Sequence, residues 1–229
     1  MKQEWNTLEW LNNAKGLVHW AGNNSNTGAI MLVVRHSHRE DSQEVQQLLK
    51  MRLTELGHKM AFQFGRESPS LQRVEISYSR HHRCHETAKD IAKGYNSRNV
   101  KAKLVSDIRV LLGPQGNGNR IGHEMLSLEG PEFINRWAAG QLSAATIEPI
   151  EEFGKVFITE TIGRLRRASS NTMHIHVTHD LVIMGARNIL FGTIATKENW
   201  TPFLGGFGVI RQGNQLCAYE NGGELILNI

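Results

Sequence analysis

Short apolar runs alternate with stretches of helical spacing along most of this chain. Ile30 to Val34 is apolar throughout, which predicts a short buried strand. Val74-Glu75-Ile76-Ser77-Tyr78 and Met173-His174-Ile175-His176-Val177-Thr178 alternate with a period of two, and Lys103-Leu104-Val105 predicts a further short strand. Between these runs the spacing becomes helical. Val45, Leu48, Leu49, Leu53 and Leu56 follow a capping box at Asp41 and Glu44, with Gly57 as a candidate stop. A second helix start lies inside that run at Thr54, and the pattern leaves one helix or two open. Met60, Phe62 and Phe64 are expected in the core, with a break at Gly65. Further helices are expected from Arg83 to Tyr95, Pro131 to Ala139, Glu151 to Arg167 and Leu181 to Leu190. The arginines that end the third of these suit a helix C-terminus.

The flanks read differently. Residues 1–29 mix Trp5, Trp10 and Trp20 with Asn, Gly and Ser. They suggest a short helix over Thr7–Leu11, a turn at Asn23–Asn26, and packing on the outside of the domain. Phe207–Arg211 and Leu216–Glu220, joined across Gly213-Asn214, predict a hairpin. Gly113 to Arg120 is the most loop-like stretch of the chain, leading into a polar segment. Strand–helix alternation over most of the length predicts an α/β layer fold, and 229 residues suit one domain.

Composition narrows the class. A chain that is 40% hydrophobic and 21% charged is ordinary for a folded domain. Two cysteines make no disulfide framework, so a reducing, cytoplasmic setting is expected. The polar start carries no apolar signal segment, and no run approaches the ~20 residues that span a bilayer. A net charge of +4 suits an anionic ligand. No Lys/Arg run with interleaved aromatics points to nucleic acid.

Three predicted strands end in chemistry. The first runs into Arg35, His36 and Arg39, the second into Ser79, Arg80 and Arg83, and the last into His179 and Asp180. If these strands are parallel, the clusters meet at the carboxyl edge of one sheet, where open α/β sheets bind ligands. Arginines hold phosphate through two parallel hydrogen bonds. A neutral imidazole can attack phosphorus and a carboxylic acid can protonate the leaving oxygen, so the built-in cations make a metal unnecessary.

Arg35-His36, then Ser79-x-x-x-Arg83-x-x-x-Thr87-Ala88, then His179 resemble the three core motifs of the histidine phosphatase superfamily, which spans phosphoglycerate-mutase-like and acid-phosphatase branches. Leu53-Thr54-Glu55-Leu56-Gly57 is similar to the segment after the first motif. The resemblance implies a three-layer α/β sandwich with a mostly parallel central sheet. It implies His36 as the nucleophile that carries a phosphohistidine, and Arg35, Arg83 and His179 as holders of the phosphoryl oxygens. Arg39 resembles the extra arginine of the acid-phosphatase branch, and Asp180 that branch's proton donor. The short chain is more like the mutase-like branch, whose acid follows the second motif; Asp107 is the nearest match there. Asp180 is preferred, with Asp107 as the alternative. One departure is Ser37, where the family usually has Gly; Gly tolerates backbone conformations that Ser does not.

The implied activity is metal-independent phosphomonoester hydrolysis of a small phosphorylated substrate, with no cofactor. Phosphomutase activity and phospho-ligand binding without turnover are the alternatives. A fourth reading takes His174, His176 and His179 as metal ligands, since the first two share a strand face. His81, His82 and His85 are expected at the surface, with room for one of them to reach the pocket. Substrate choice is expected in residues 113–130, as a cap, and around 58–72.

Overall fold

We describe a computed structural model of the chain, which covers residues 1–40, 47 and 50–229. The capping box at Asp41 and Glu44 and the apolar positions Val45, Leu48 and Leu49 lie outside the described residues.

Among the described residues a seven-stranded sheet forms the middle layer, in the order β3-β2-β4-β1-β5-β6-β7. The strands are β1 (Ala29–Arg35), β2 (Arg73–Tyr78), β3 (Ala102–Asp107), β4 (Thr172–Thr178), β5 (Gly206–Gln212), β6 (Gln215–Glu220) and β7 (Gly223–Leu227). The half from β3 to β1 is parallel, as expected. β5, β6 and β7 extend it antiparallel, through the anticipated hairpin and one further strand. Residues 113–130 are less loop-like than the Gly-rich sequence suggests, because Gly118–Leu128 is helical.

β1 explains its own sequence. Ile30, Leu32 and Val34 face one apolar cluster, while Met31 and Val33 face the other. A strand buried on both faces cannot alternate, so it reads as one apolar run. On the first face lie α1 (Lys2–Thr7), α2 (Asn12–Asn23), α3 (Glu55–Glu67) and α4 (His82–Asn96). α5 (Gly118–Leu128), α6 (Gly130–Ala138), α7 (Ile150–Phe157), a π-helical turn (Ile158–Ile162), α8 (Gly163–Arg167) and α9 (Asp180–Phe191) contribute to the opposite face.

The amino-terminal segment does more than cover the outside. Trp5, Leu11, Leu17 and Trp20 are buried in the core, and Trp20 stacks on Tyr219 of β6 at 5.4 Å. The Asn- and Gly-rich composition of α2 hides this helix from a reading based on periodicity. A helix does start at Thr54: its hydroxyl accepts from the Gly57 amide and caps α3. Gly65 does not break α3. A Cβ there would lie 2.1 Å from the Ile91 carbonyl oxygen, so this glycine lets α3 and α4 cross in close contact. Among the described residues no helix is long and apolar enough to cross a membrane.

Candidate active site

The parallel strands carry the three sequence clusters to one edge. Beyond the strands the ladder continues: the His36 amide donates to the Thr178 carbonyl at 2.8 Å, and the Ser79 amide donates to that of Val177 at 2.9 Å. A cavity of about 950 Å³ opens there, and its lining includes Arg35, His36, Arg39, Arg83, His179 and Asp180.

His36 is 2% exposed. Its Nδ1 lies 2.9 Å from the Ser37 carbonyl oxygen, which can only accept, so the proton sits on Nδ1. Nε2 then carries the lone pair and is the ring nitrogen left for the cavity. Burial holds the His36 pKa well below the ordinary 6.5, and the charges of Arg35, His179 and Arg83 add to this. The imidazole is therefore neutral over the physiological range.

Among the described residues Arg35 meets Asp180, Thr201 and Phe203. Nη2 pairs with the Asp180 carboxylate at 2.6 Å, Nη1 donates to the Thr201 carbonyl at 2.9 Å, and the guanidinium lies 4.4 Å from the centre of the Phe203 ring. Asp180 also accepts from the Leu181 amide at the N-terminus of α9. Arg83 Nη2 donates to His179 Nδ1 at 3.1 Å. An arginine donates and does not accept, so the His179 proton lies on Nε2 and is given to Ser79 Oγ at 2.9 Å. Burial first, and then Arg83, push the His179 pKa well down. The buried Cys84 thiol beside it is pushed up to about 12 by burial, which makes it a poor nucleophile.

Ser37 is accommodated without strain; it is not among the residues with positive φ. Its amide donates to Thr87 Oγ1 at 2.9 Å and its hydroxyl to the Gly57 carbonyl at 2.7 Å. The hydroxyl thus ties the loop after β1 to α3, and Ser37 does not line the cavity. Gly57 fits closely under that loop: a Cβ on it would lie 2.1 Å from the His38 carbonyl oxygen.

The other candidates separate. Asp107 is exposed at the end of β3 and does not line the cavity. Of the three histidines near Arg83, His81 reaches the cavity and packs edge-on against His179 at 5.1 Å. Its pKa is lowered to about 4 by burial, with Arg83 and Arg80 adding to the effect. His85 stacks on Tyr78, and His82 is exposed. His174 and His176 stack on each other with ring centres 6.2 Å apart, buried in the sheet, while His179 bonds to Ser79 and Arg83 in the cavity. Among the described residues no group of three or more His, Cys, Asp or Glu side chains is disposed to hold a metal ion.

Arg109, Lys197 and Trp200 also line the cavity, and sequence reasoning did not single them out. The rule applied to the other strand ends, extended to β3, points to Arg109. Lys197 and Trp200 follow α9 in a segment with no motif.

Fold and site together define a class: an α/β protein whose parallel strands end in a cavity lined by arginines and neutral imidazoles. Within that class the chain belongs to the histidine phosphatase superfamily (branch 1), whose family model matches residues 31–200. No curated protein matches the sequence. Similar solved structures include Bacillus stearothermophilus YhfR, with a TM-score of 0.58 and 16% identity over 85% of this chain and 96% of that one. Phosphoglycerate mutase from Bacillus anthracis gives 0.52 and 16%, over 89% and 93%. A mycobacterial glucosyl-3-phosphoglycerate phosphatase gives 0.51 and 15%, over 82% and 89%. At these identities the likeness is one of fold.

Proposed function

We propose that this protein is a phosphomonoester hydrolase working through a phosphohistidine on His36. The observation that carries this reading is the Nδ1–H bond from His36 to the Ser37 carbonyl, which leaves a neutral Nε2 lone pair in an arginine-lined cavity. A phosphate dianion enters among Arg35, Arg39, Arg83 and His179. His36 Nε2 attacks phosphorus, and the bond from phosphorus to the ester oxygen breaks. Asp180 gives its proton to that oxygen, and the alcohol leaves. Water then attacks the phosphohistidine, Asp180 takes the water's proton, the P–N bond breaks and inorganic phosphate is released.

Of the two candidate acids, Asp180 lines the cavity and Asp107 does not. Asp180 pairs with Arg35. A phosphate dianion competes for that guanidinium, which frees the Asp180 carboxyl group to meet the ester oxygen. No metal ion or cofactor enters the scheme. Residues 113–130 act as the cap of a single domain spanning the chain; Gly113, Ile121 and Met125 already line the cavity. Both cysteines are unbridged, which fits a cytoplasmic setting.

The test is rapid-quench labelling with a phosphate ester carrying labelled phosphorus, in the presence of EDTA. Acid-labile, base-stable label on His36, absent from His36→Ala, supports the scheme. Nearly normal turnover by a folded His36→Ala protein refutes it.

A further inference from the structure

One aromatic ring outside the cavity lining meets two of the groups that the proposed reaction uses. Phe203 is not a lining residue. Its ring centre nevertheless lies 4.4 Å from Cζ of Arg35 and 5.7 Å from the centre of the His36 imidazole.

The backbone is bent to put that ring there. The Gly205 amide donates to the Pro202 carbonyl at 3.0 Å, which closes a turn over residues 202–205. Phe203 is the second residue of the turn, at its corner. Leu204, the third, has a φ of 57°. That region favours glycine, and a branched side chain there stores strain that only its surroundings sustain. Leu204 is fully buried in the apolar cluster below β1, so the core holds the turn in this shape. Two backbone bonds then tie the turn to the end of β1. The Arg35 amide donates to the Gly205 carbonyl at 2.8 Å, and the Leu204 amide donates to that of His36 at 3.4 Å.

The ring is itself supported. Trp10 and His38 pack edge-on against it, with ring centres 6.1 and 5.2 Å away. His38 is anchored in turn, with Nδ1 2.8 Å from the Thr54 hydroxyl that caps α3.

Both reacting groups need an orientation as well as a place. The His36 Nδ1 bond fixes the tautomer, but it runs to the neighbouring residue, so the tilt of the ring depends on what packs against it. For Arg35, an aromatic face sets the plane of the guanidinium. That plane decides whether two of its N–H groups can meet a phosphate together.

We propose that Phe203 is a positioning residue for phosphoryl transfer. Its ring sets the plane of the Arg35 guanidinium and the tilt of the His36 imidazole, so that phosphorus is bound within reach of Nε2. It acts through these two residues and does not touch the phosphate. The His36 half rests on the phosphatase reading, while the Arg35 half needs only phosphate binding.

Phe203→Leu removes the ring and keeps an apolar side chain. The folded variant should bind inorganic phosphate about 5-fold more weakly by calorimetry. It should label His36 about 10-fold more slowly at saturating phosphate ester. Phe203→Tyr keeps the ring and should stay within about twofold of the unaltered protein in both measurements. A double-mutant cycle separates positioning from a general loss of stability. In an Arg35→Gln background, Phe203→Leu should weaken phosphate binding by less than about twofold, because the guanidinium that it orients is gone. Three results overturn the Arg35 half: unchanged phosphate affinity in Phe203→Leu, the same loss in the Arg35→Gln background, or a Phe203→Tyr protein as weak as Phe203→Leu. Labelling at the unaltered rate in Phe203→Leu overturns the His36 half. If no ester labels His36 even in the unaltered protein, the phosphatase reading fails, and the phosphate measurements still decide the Arg35 half.

Discussion

The Arg35 guanidinium and the Asp180 carboxylate lie 2.6 Å apart, at the ends of neighbouring parallel strands. One is expected to hold the phosphate and the other to protonate the alcohol, so each is the other's partner until substrate arrives. Asp180→Asn should therefore slow alkyl phosphates by on the order of 10²-fold. It should slow p-nitrophenyl phosphate much less, because nitrophenolate leaves without a proton. Asp107→Asn is the control. The same selective loss at Asp107, with Asp180→Asn near normal, would move the acid.

If His36 is the nucleophile, its environment should set the acid limb of the pH profile. Burial and the surrounding cations lower its pKa well below 6.5, so the imidazole stays neutral as the pH falls through that value. The acid limb of kcat/KM for p-nitrophenyl phosphate should lie well below pH 6.5, once substrate ionisation is allowed for. A limb at pH 6.5 that disappears in no other variant would show an ordinary, solvated imidazole.

Ser37 should prove structural. Its hydroxyl bonds to the Gly57 carbonyl and stays out of the cavity. Ser37→Ala should cost about 1 kcal/mol of stability in urea unfolding and leave competitive inhibition by phosphate within about twofold. A large loss of phosphate affinity at unchanged stability would instead make the hydroxyl a ligand.

His176 should make the fold acid-sensitive. It is fully buried, and neither ring nitrogen has a hydrogen-bond partner among the described residues. Burial lowers its pKa to about 3, with smaller contributions from His174 and Arg164. The unfolded chain therefore binds a proton, which the folded one refuses, between about pH 6.5 and 3. Stability contributed by the neutral ring is present above pH 6.5 and is lost as the pH falls, at up to ~1.4 kcal/mol per pH unit for one proton. His176→Leu should reduce that slope and raise the urea midpoint more at pH 5 than at pH 8. An equal shift at both values would show that His176 does not titrate on unfolding.

Much of this site can be read from residue order. Arg35-His36, Ser79 to Thr87 and His179-Asp180 each follow a strand-like run, apolar throughout before Arg35 and alternating before Ser79 and His179. Parallel strands in one sheet then leave their carboxyl ends along a single edge, so the clusters converge. Other features depend on distances between residues remote in sequence. Ser37 is accommodated because its hydroxyl finds Gly57, and Asp107 and Asp180 separate because only one of their strand-end turns faces the cavity. His81 rather than His82 reaches His179, since adjacent positions at the start of α4 point in different directions. Helix α2 escaped notice because its Asn and Gly residues blur the helical period, and it is held by tertiary burial of Leu17 and Trp20. The sequence alone determined which chemical groups are present and the order in which strands deliver them. The tertiary structure decided which of them share one cavity, because hydrogen bonding, burial and ion pairing act across space and leave no local pattern in the chain.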